Sequence, residues 1–409
     1  MSALATIPQP EVVQQALRAT TERLAHELAC PTSATPDWSE FEWRAARAAV
    51  AIHGVAPLLA GTLRWQGPPG WEAFLADQRA HTRERHARME KLAQLIEQRA
   101  RDAGIPMVAL KGAALHALGF YAPGERPMAD LDYLVEEPDM AAATTLIEAQ
   151  RYHEELHCWR NRIFKPEGAS AGGLGEHRDN QIKIELHWRI RERLPLEVID
   201  ISEIVYPPAP RPGFNPYPSL PALLMHLVLH AAGSMTCGEV RLMHLHDLAL
   251  VCGRMQPEDW QTILRQGERG NRAPWWFLPP LQLASRYYAN IVPGAVLSEL
   301  QNSCPARLRR FIASRSLTDV SLSSVWIRAF PGLGWSRSLH ESARYMFRRV
   351  YPDAEARSIR QDSMANAAWA SDSSWQGLSQ KSRIIRWMTS RPTRPATMYV
   401  IRETLAQPL

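Results

Sequence analysis

Apolar residues recur at helical spacing through the first hundred residues of the chain. Trp43, Ala46 and Val50 stand at i, i+3 and i+7, and residues 71–104 predict one long charged helix. Beyond Gly104 the period changes, and short apolar runs alternate with helical segments. The pattern predicts, in order, a strand at 106–110, a helix at 113–118, a strand at 131–135 and a helix at 138–150. Strands that alternate with helices over so short a stretch indicate an α/β unit.

Two further segments, residues 152–165 and 180–190, have the pattern of strands. In the second, apolar residues occupy the even positions of 182–188 and polar residues the odd positions of 181–187. Because successive side chains of a strand point to opposite faces, this strand has one apolar and one polar face. The glycine-rich residues 167–175 lack the spacing of a dinucleotide-binding loop and predict a hairpin connection.

The rest of the chain is predicted to be mostly helical. A proline-rich connector and four helices are expected at 207–221, 220–232, 241–253, 257–269 and 274–290. The whole pattern predicts the α+β class, with a mixed β-sheet and flanking helices embedded between N-terminal and C-terminal helical regions. The predicted divisions are an N-terminal helical region at 1–104, a core at 105–205, a helical domain closing a cleft at 206–300 and a C-terminal helical region with a basic tail at 301–409.

Composition and charge narrow the class of protein. Of 409 residues, 45% are hydrophobic and 22% are charged, which is typical of a globular chain. Residues 380–409 contain six Lys and Arg against Glu403, so much of the net charge of +5 lies in this tail. Such a tail is a solvated surface or a contact for nucleic acid, anionic lipid or an acidic partner. Aromatic and basic residues are not interleaved elsewhere, so nucleic acid is not the expected partner.

The cysteines and the apolar runs predict a location in the cytoplasm. The five cysteines are scattered, without a Cys-x-x-Cys pair, which is typical of reduced thiols. The first fifteen residues lack the pattern of a secretory signal. The apolar-rich run at 48–61 is too short for a membrane span. We therefore expect no membrane partner.

Three carboxylates carry the predicted chemistry. Asp130 and Asp132 stand two residues apart on a strand and therefore share a face, and Glu185 lies on the polar face of a later strand. If the two strands are neighbours, the carboxylates converge on one patch, where they repel one another unless a cation neutralises them. Oxygen ligands favour Mg²⁺, which keeps waters and phosphate oxygens as its other ligands.

Residues upstream of this pair predict a phosphate site. A strand ends at Leu110 and a helix begins after Gly112, and the N–H groups of a helix start attract phosphate oxygens. Gly112 allows close approach, and Lys111 is either a phosphate ligand or an exposed helix start. Arg126 is a candidate for the same polyanion, with an ion pair to Asp130 or Glu125 as the alternative. His187 shares the face of Glu185 and either borders the site or is a hydrogen-bonded scaffold residue.

These motifs together resemble a known family. The segments Leu110–Gly112, Arg126, Asp130–Asp132 and Glu185–Trp188 are similar to those of a bacterial family of uncharacterised nucleotidyltransferases within the polymerase-β-like superfamily. The resemblance spans roughly residues 35–295 and includes 226–232, 242–251 and Asp259–Trp260 in the helical part. One departure is the turn, which is Gly-Gly or Gly-Ser in the wider superfamily and Lys111–Gly112 here.

The resemblance implies a fold, an activity and roles for these residues. It implies a nucleotidyltransferase core and an enzyme that moves a nucleotidyl or related phosphoryl group from an NTP to a hydroxyl or phosphate. The implied ligands of two Mg²⁺ ions, with Mn²⁺ as the alternative, are Asp130, Asp132 and Glu185, which would also be the catalytic residues. Lys111, Gly112, Arg126 and His187 would bind the nucleotide. The acceptor is an unknown small molecule, peptide or protein; relatives in lasso-peptide biosynthesis clusters point to a peptide natural product.

Two other functions are compatible with the sequence. The first is a non-catalytic nucleotide-binding or scaffold subunit of a biosynthetic operon, with the basic tail docking a partner. The second is a metal hydrolase whose zinc is held by the polar residues His226, His230, His244, His246 and Asp247. No His-Glu-x-x-His spacing supports the zinc site, so packing between helices is the better account of these histidines, with Asp247 bridging helices near the cleft.

Overall fold

The structure is a computed structural model that describes residues 7–168, 174–266, 273–352, 357 and 378–409. The chain opens with four helices: α1 (Pro10–Ala29), α2 (Glu40–His53), α3 (Ala56–Thr62) and α4 (Pro69–Asp102). Helix α2 begins at a capping box between Ser39 and Glu42 and ends at Gly54, which has a φ of 67°. The predicted charged helix is α4, and its buried side packs under the sheet.

A mixed sheet of six strands forms the centre of the molecule. Its elements, with the two helices between them, are β1 (Pro106–Ala109), α5 (Lys111–Ala117), β2 (Asp130–Leu134), α6 (Met140–Glu148), β3 (Tyr152–His157), β4 (Asn161–Pro166), β5 (Lys183–His187) and, after an interruption, β8 (Gly213–Asn215). The strand order is β3-β4-β5-β2-β1-β8. Strand β2 is parallel to β5, and β1 is parallel to β8, whereas the remaining pairs are antiparallel. The predicted α+β class and its mixed sheet are confirmed.

The segment 152–165 forms strands, as its pattern predicts, and β3 and β4 are a hairpin with a turn at residues 158–160. Two local predictions differ from the structure. Residues after 190 form a second hairpin, β6 (Arg191–Leu194) and β7 (Glu197–Asp200), before the short helix α7 (Ser202–Val205). Strand β8 lies within the proline-rich connector, where Gly213 pairs beside Pro106. These short strands are fixed by pairing partners, which local periodicity does not contain.

The glycine-rich connection lies between β4 and β5. These strands are antiparallel neighbours, which agrees with the predicted hairpin connection. Residues 169–173 of the predicted loop lie outside the described residues.

The remaining helices follow the sheet in the chain. They are α8 (Leu220–Cys237), α9 (Leu242–Cys252), α10 (Pro257–Leu264), α11 (Leu278–Tyr287), α12 (Gly294–Ser303), α13 (Ala306–Ala313), α14 (Leu339–Val350), α15 (Gln380–Ser390) and α16 (Pro395–Ala406). By length and composition α8 is apolar enough to cross a membrane, but 72% of its apolar window is buried inside the protein. It is the central helix of the helical part.

Two apolar cores lie on opposite faces of the sheet. Leu131 and Tyr133 of β2 point into a core shared with α4 and α6. Leu134 of the same strand joins the larger core, which connects the N-terminal helices with α8 and α9. Because side chains alternate along a strand, Asp130 and Asp132 point to the same side as Leu134. The candidate site therefore lies between the sheet and the helices.

Candidate active site

The register of β2 and β5 places the predicted carboxylates together. The two strands run parallel, with Asp132 directly beside Glu185 and Leu134 beside His187. Adjacent residues in register point to the same face of a sheet, so Asp132 and Glu185 share one face with Asp130. The condition on which the predicted convergence depended, that these strands are neighbours, is met.

Hydrogen bonds connect Asp132 to two basic groups. Its Oδ1 accepts from Nζ of Lys111 and from Nε2 of His187, each at 2.9 Å. Glu185 Oε2 accepts from Nδ2 of Asn161 at 2.6 Å and lies 3.5 Å from Nε2 of His187. Asp130 has no side-chain hydrogen bond to any residue in the described ranges. One carboxylate of the three is therefore free to take a ligand.

The charges of this cluster are unevenly stabilised. Burial, followed by the neighbouring charges of Asp132 and Glu185, raises the pKa of Asp130 to about 7. Burial acts in the same direction on Asp132, but the Lys111 ammonium and the hydrogen bond with His187 hold its pKa well below its usual range. For Glu185 the effect of burial is outweighed by the hydrogen bond with His187, and its pKa is lowered. The carboxylates thus exceed the local positive charge.

The donor set fits a divalent cation. Ligand atoms of Asp132, Glu185 and His187 lie within 4.8 Å of one another, and across the described parts of the chain this is the one such group of His, Cys, Asp and Glu. The set differs from the predicted one, because His187 was expected to contact the nucleotide and Asp130 to be a ligand. Asp130 lies outside this group but beside Asp132 on the same face. The assignment of Asp130, Asp132 and Glu185 as ligands stays a prediction.

The turn after β1 holds a lysine in an unusual backbone conformation. Lys111 has a φ of 44°, in the left-handed region that glycine adopts most easily. Its N–H donates to Oη of Tyr217 at 3.3 Å, and Tyr217 Oη in turn lies 2.7 Å from Nδ1 of His226. Lys111 therefore combines a strained backbone with an ammonium group that contacts Asp132.

Arg126 is held by an ion pair that sequence did not identify. Its Nε and Nη2 donate to the two carboxylate oxygens of Asp247 at 2.9 and 2.8 Å. Tyr121 Oη adds a 2.7 Å hydrogen bond to Asp247, and all three residues are buried. The third nitrogen, Nη1, faces Gly112, where an added Cβ would overlap it. The absence of a side chain at Gly112 therefore makes room for Arg126, and the partner of Arg126 is neither Asp130 nor Glu125.

A cavity of about 580 Å³ opens beside these residues. On the sheet side it is lined by Lys111, Gly112, Arg126, Asp130 and Asp132. The other walls come from α2, α3, α8, α9 and the segment 174–176. The C-terminal helix α16 also contributes, through Ala396, Thr397, Tyr399 and Val400. No pattern in the sequence indicates this last wall, because α16 is far along the chain and carries no recognisable motif.

The histidines of α8 and α9 contact neighbouring side chains, and His230 and His244 also line the cavity. Nδ1 of His226 is hydrogen-bonded to Oη of Tyr217, and Nδ1 of His246 lies 3.0 Å from Oη of Tyr288. The rings of His230 and His244 pack edge to face, with their centres 4.9 Å apart. Burial lowers the pKa values of His226 and His244 well below the usual range, so both are neutral. Within the described residues they form no metal-binding group, which removes the structural basis of the zinc alternative. Asp247 was predicted to bridge helices near the cleft, but it connects α9 to Tyr121 and Arg126 of the loop before β2.

Other residues of the site had weaker signals in the sequence. Asn161, opposite His187 on β4, is a polar residue at the start of a strand and is buried against Glu185. Tyr217 lies in the proline-rich connector, where a lone aromatic residue carries no pattern. Both could have been found only from the pairing of distant segments.

Comparison with known proteins identifies the family. The sequence model of the uncharacterised nucleotidyltransferases matches residues 39–278, which is more than half of the chain. No curated protein and no solved structure matches the chain. The matched range contains the whole sheet and the helices α8 to α10, whereas α14 to α16 lie beyond it. The chain therefore belongs to the family of uncharacterised nucleotidyltransferases, and it is a transferase whose substrate is a nucleoside triphosphate.

Proposed function

We propose that this enzyme transfers a nucleoside monophosphate from an NTP to a hydroxyl or phosphate of an acceptor, in a reaction that depends on Mg²⁺. The observation that supports this most strongly is the parallel register of β2 and β5, which brings Asp132 beside Glu185 while Asp130 lacks a partner among the described residues. In this proposal Asp130, Asp132 and Glu185 hold two Mg²⁺ ions, with Mn²⁺ as a substitute. Bound cations would neutralise charge on the triphosphate and the leaving pyrophosphate.

The protein's own groups prepare the site for this charge. Lys111 and His187 keep Asp132 ionised, so it is available as a ligand at neutral pH. Lys111, Gly112 and Arg126 line the cavity next to the carboxylates and are the proposed contacts of the phosphates, with His187 close by. The bond from the acceptor oxygen to the α-phosphorus forms as the bond to pyrophosphate breaks. The acceptor proton passes to a carboxylate of the cluster.

The cavity supports a small acceptor or a peptide segment. Its volume of about 580 Å³ is in the range of small-molecule sites. The proposed core at 105–205 supplies the carboxylates, and the helical domain at 206–300 closes the cleft. The region at 301–409 adds α16 as a wall. We also propose that the acceptor is a peptide natural product and that the enzyme works in the cytoplasm.

Radiolabelled transfer tests the proposal. Wild-type enzyme, Asp132→Asn and Asp77→Asn are incubated with α-³²P-labelled NTPs, Mg²⁺ and a metabolite and peptide extract. Asp77 is exposed on α4 and does not line the cavity, so its variant carries the same chemical change outside the cavity. We expect label transfer by wild type and Asp77→Asn, and a loss of at least about 10³-fold in Asp132→Asn with an unchanged circular dichroism spectrum.

The other outcomes separate the alternatives. Full transfer by Asp132→Asn would reject the metal site. NTP binding without any labelled product, across all four NTPs, would favour the non-catalytic nucleotide-binding subunit.

A further inference from the structure

The helices α14 and α15 carry an unusual share of exposed apolar side chains. Eleven large apolar residues are exposed in the described parts of the chain. Six of them lie on these two helices or directly after one of them: Leu339, Met346, Phe347, Tyr351, Ile385 and Met388. We call these six the C-terminal patch. Four of them, Leu339, Phe347, Ile385 and Met388, are between 61% and 75% exposed, which is far from the burial that such residues have in a core.

Helix α14 is oriented opposite to an ordinary surface helix. Leu339, Met346 and Phe347 stand at i, i+7 and i+8 and form one apolar stripe, which faces outward. Glu341 and Ser342 are buried instead. A surface helix normally turns its apolar stripe to the core. An outward stripe of this kind marks a surface that meets another phase or molecule.

The two helices form one surface. Gln380 Nε2 donates to the carbonyl oxygen of Arg349 at 2.7 Å, and Lys381 Nζ lies 4.8 Å from the ring centre of Tyr351. The rings of Phe347, on α14, and Tyr351, directly after it, are 5.1 Å apart. On α15, Ile385 and Met388 follow Lys381 at i+4 and i+7, so they share its exposed side. The apolar rows of both helices therefore meet near Lys381 and Tyr351.

The charge around the patch is strongly positive. The described helices α14 and α15 together have six Lys and Arg, which are Arg344, Arg348, Arg349, Lys381, Arg383 and Arg386, against one acidic residue, Glu341. Glu341, the one acidic residue on α14, is paired with Arg337. Two copies of such a surface would repel each other. The complementary surface is anionic.

We propose that the C-terminal patch docks the enzyme on an anionic lipid surface. Basic helices with exposed aromatic and aliphatic side chains lie in the plane of a membrane interface, where the apolar groups enter the acyl boundary and the cations meet the headgroups. The aliphatic stems of Lys and Arg extend the apolar area while their charges stay in the headgroup layer. The expectation of no membrane partner rested on the lack of a spanning segment, and docking of this kind needs none.

Vesicle sedimentation of the full chain tests this docking. Wild type is mixed with vesicles of neutral phosphatidylcholine or of phosphatidylcholine with 30% phosphatidylglycerol. We expect binding to the anionic vesicles, a several-fold loss on raising the salt from 0.1 to 0.5 M, and at least a ten-fold loss in the double variant Phe347→Asp, Ile385→Asp. Lys381→Gln should weaken binding by about five-fold. Leu95→Asp, the same change at an exposed position of α4, should bind like wild type.

Three results would overturn the proposal. The first is equal sedimentation with neutral and anionic vesicles or no loss in the double variant. The second is absence of vesicle binding together with self-association that the double variant abolishes, which would make the patch an interface between two copies. The third is binding of polyglutamate but not of vesicles, which would point to an acidic polypeptide. Melting curves of every variant confirm that each is folded.

Discussion

Two clusters of buried charge lie on either side of the Lys111–Gly112 turn, and they differ in how completely their charges are satisfied. Asp247 accepts two hydrogen bonds from Arg126 and one from Tyr121. On the other side, three carboxylates share Lys111, His187 and Asn161, and the side chain of Asp130 has no hydrogen bond within the described ranges. A satisfied cluster is what folding alone requires, whereas an unsatisfied one is retained where a ligand completes it.

The largest predicted effect follows a substitution that breaks the satisfied cluster. Asp247→Asn leaves the Arg126 charge buried without a counter-charge, and removing one partner of such a pair costs about 3–5 kcal/mol. We expect that loss in the free energy of unfolding, measured in urea. The double variant Arg126→Gln, Asp247→Asn should recover most of it, because both charges are then absent. Equal destabilisation of the single and double variants would show that the ion pair does not carry the effect.

His53 is a second buried group whose hydrogen bonds are complete. His53 Nδ1 accepts from the N–H of Leu242, and its Nε2 lies 3.0 Å from Oγ of Ser323. Burial, aided by the charge of Arg241, lowers the pKa of His53 from 6.5 to about 3. Since the unfolded chain binds the proton first as pH falls, the contribution of His53 is complete above about 6.5 and is lost progressively towards 3.

The measurement compares unfolding at two pH values. Between pH 7.5 and pH 5 this one group should account for about 2 kcal/mol of lost stability. The variant His53→Asn keeps a hydrogen-bonding side chain but does not titrate, so its loss over the same interval should be smaller by that amount. The same pH dependence in both proteins would contradict the buried neutral state of His53.

The smallest predicted effect concerns strain in the unsatisfied cluster. Lys111→Gly and Lys111→Ala both remove the ammonium from Asp132, but only glycine suits a φ of 44°. We expect the glycine variant to be more stable than the alanine variant by about 1 kcal/mol, and both to lose transfer activity. Greater stability of the alanine variant would show that the turn is not strained.

The contrast between the clusters also explains what the sequence could predict. Asp130 and Asp132 share a face because strands have a period of two, and Glu185 lies on a strand whose alternation is clear. These relations are local, and the family resemblance supplied the pairing between them. The mixed sheet and the long helix α4 were predictable for the same reason.

The rest depended on contacts between distant residues. Asp247 is 121 positions from Arg126, and Tyr217 is 106 positions from Lys111. No local pattern selects such partners from the many polar residues of the chain. The positive φ of Lys111 could not be predicted either, because glycine is the residue from which that conformation is predicted in a sequence. The three-residue strand β8 forms because it pairs in parallel with β1 at the edge of the sheet.

Titration of Mn²⁺ into the wild type, Asp132→Asn and Asp247→Asn by calorimetry tests the central claim most directly. All three proteins are measured under conditions in which circular dichroism shows them folded. The account predicts saturable binding in the wild type and in Asp247→Asn, and a loss of affinity of at least about ten-fold in Asp132→Asn. Equal affinity in the wild type and Asp132→Asn would contradict the assignment of the unsatisfied carboxylates as the metal site.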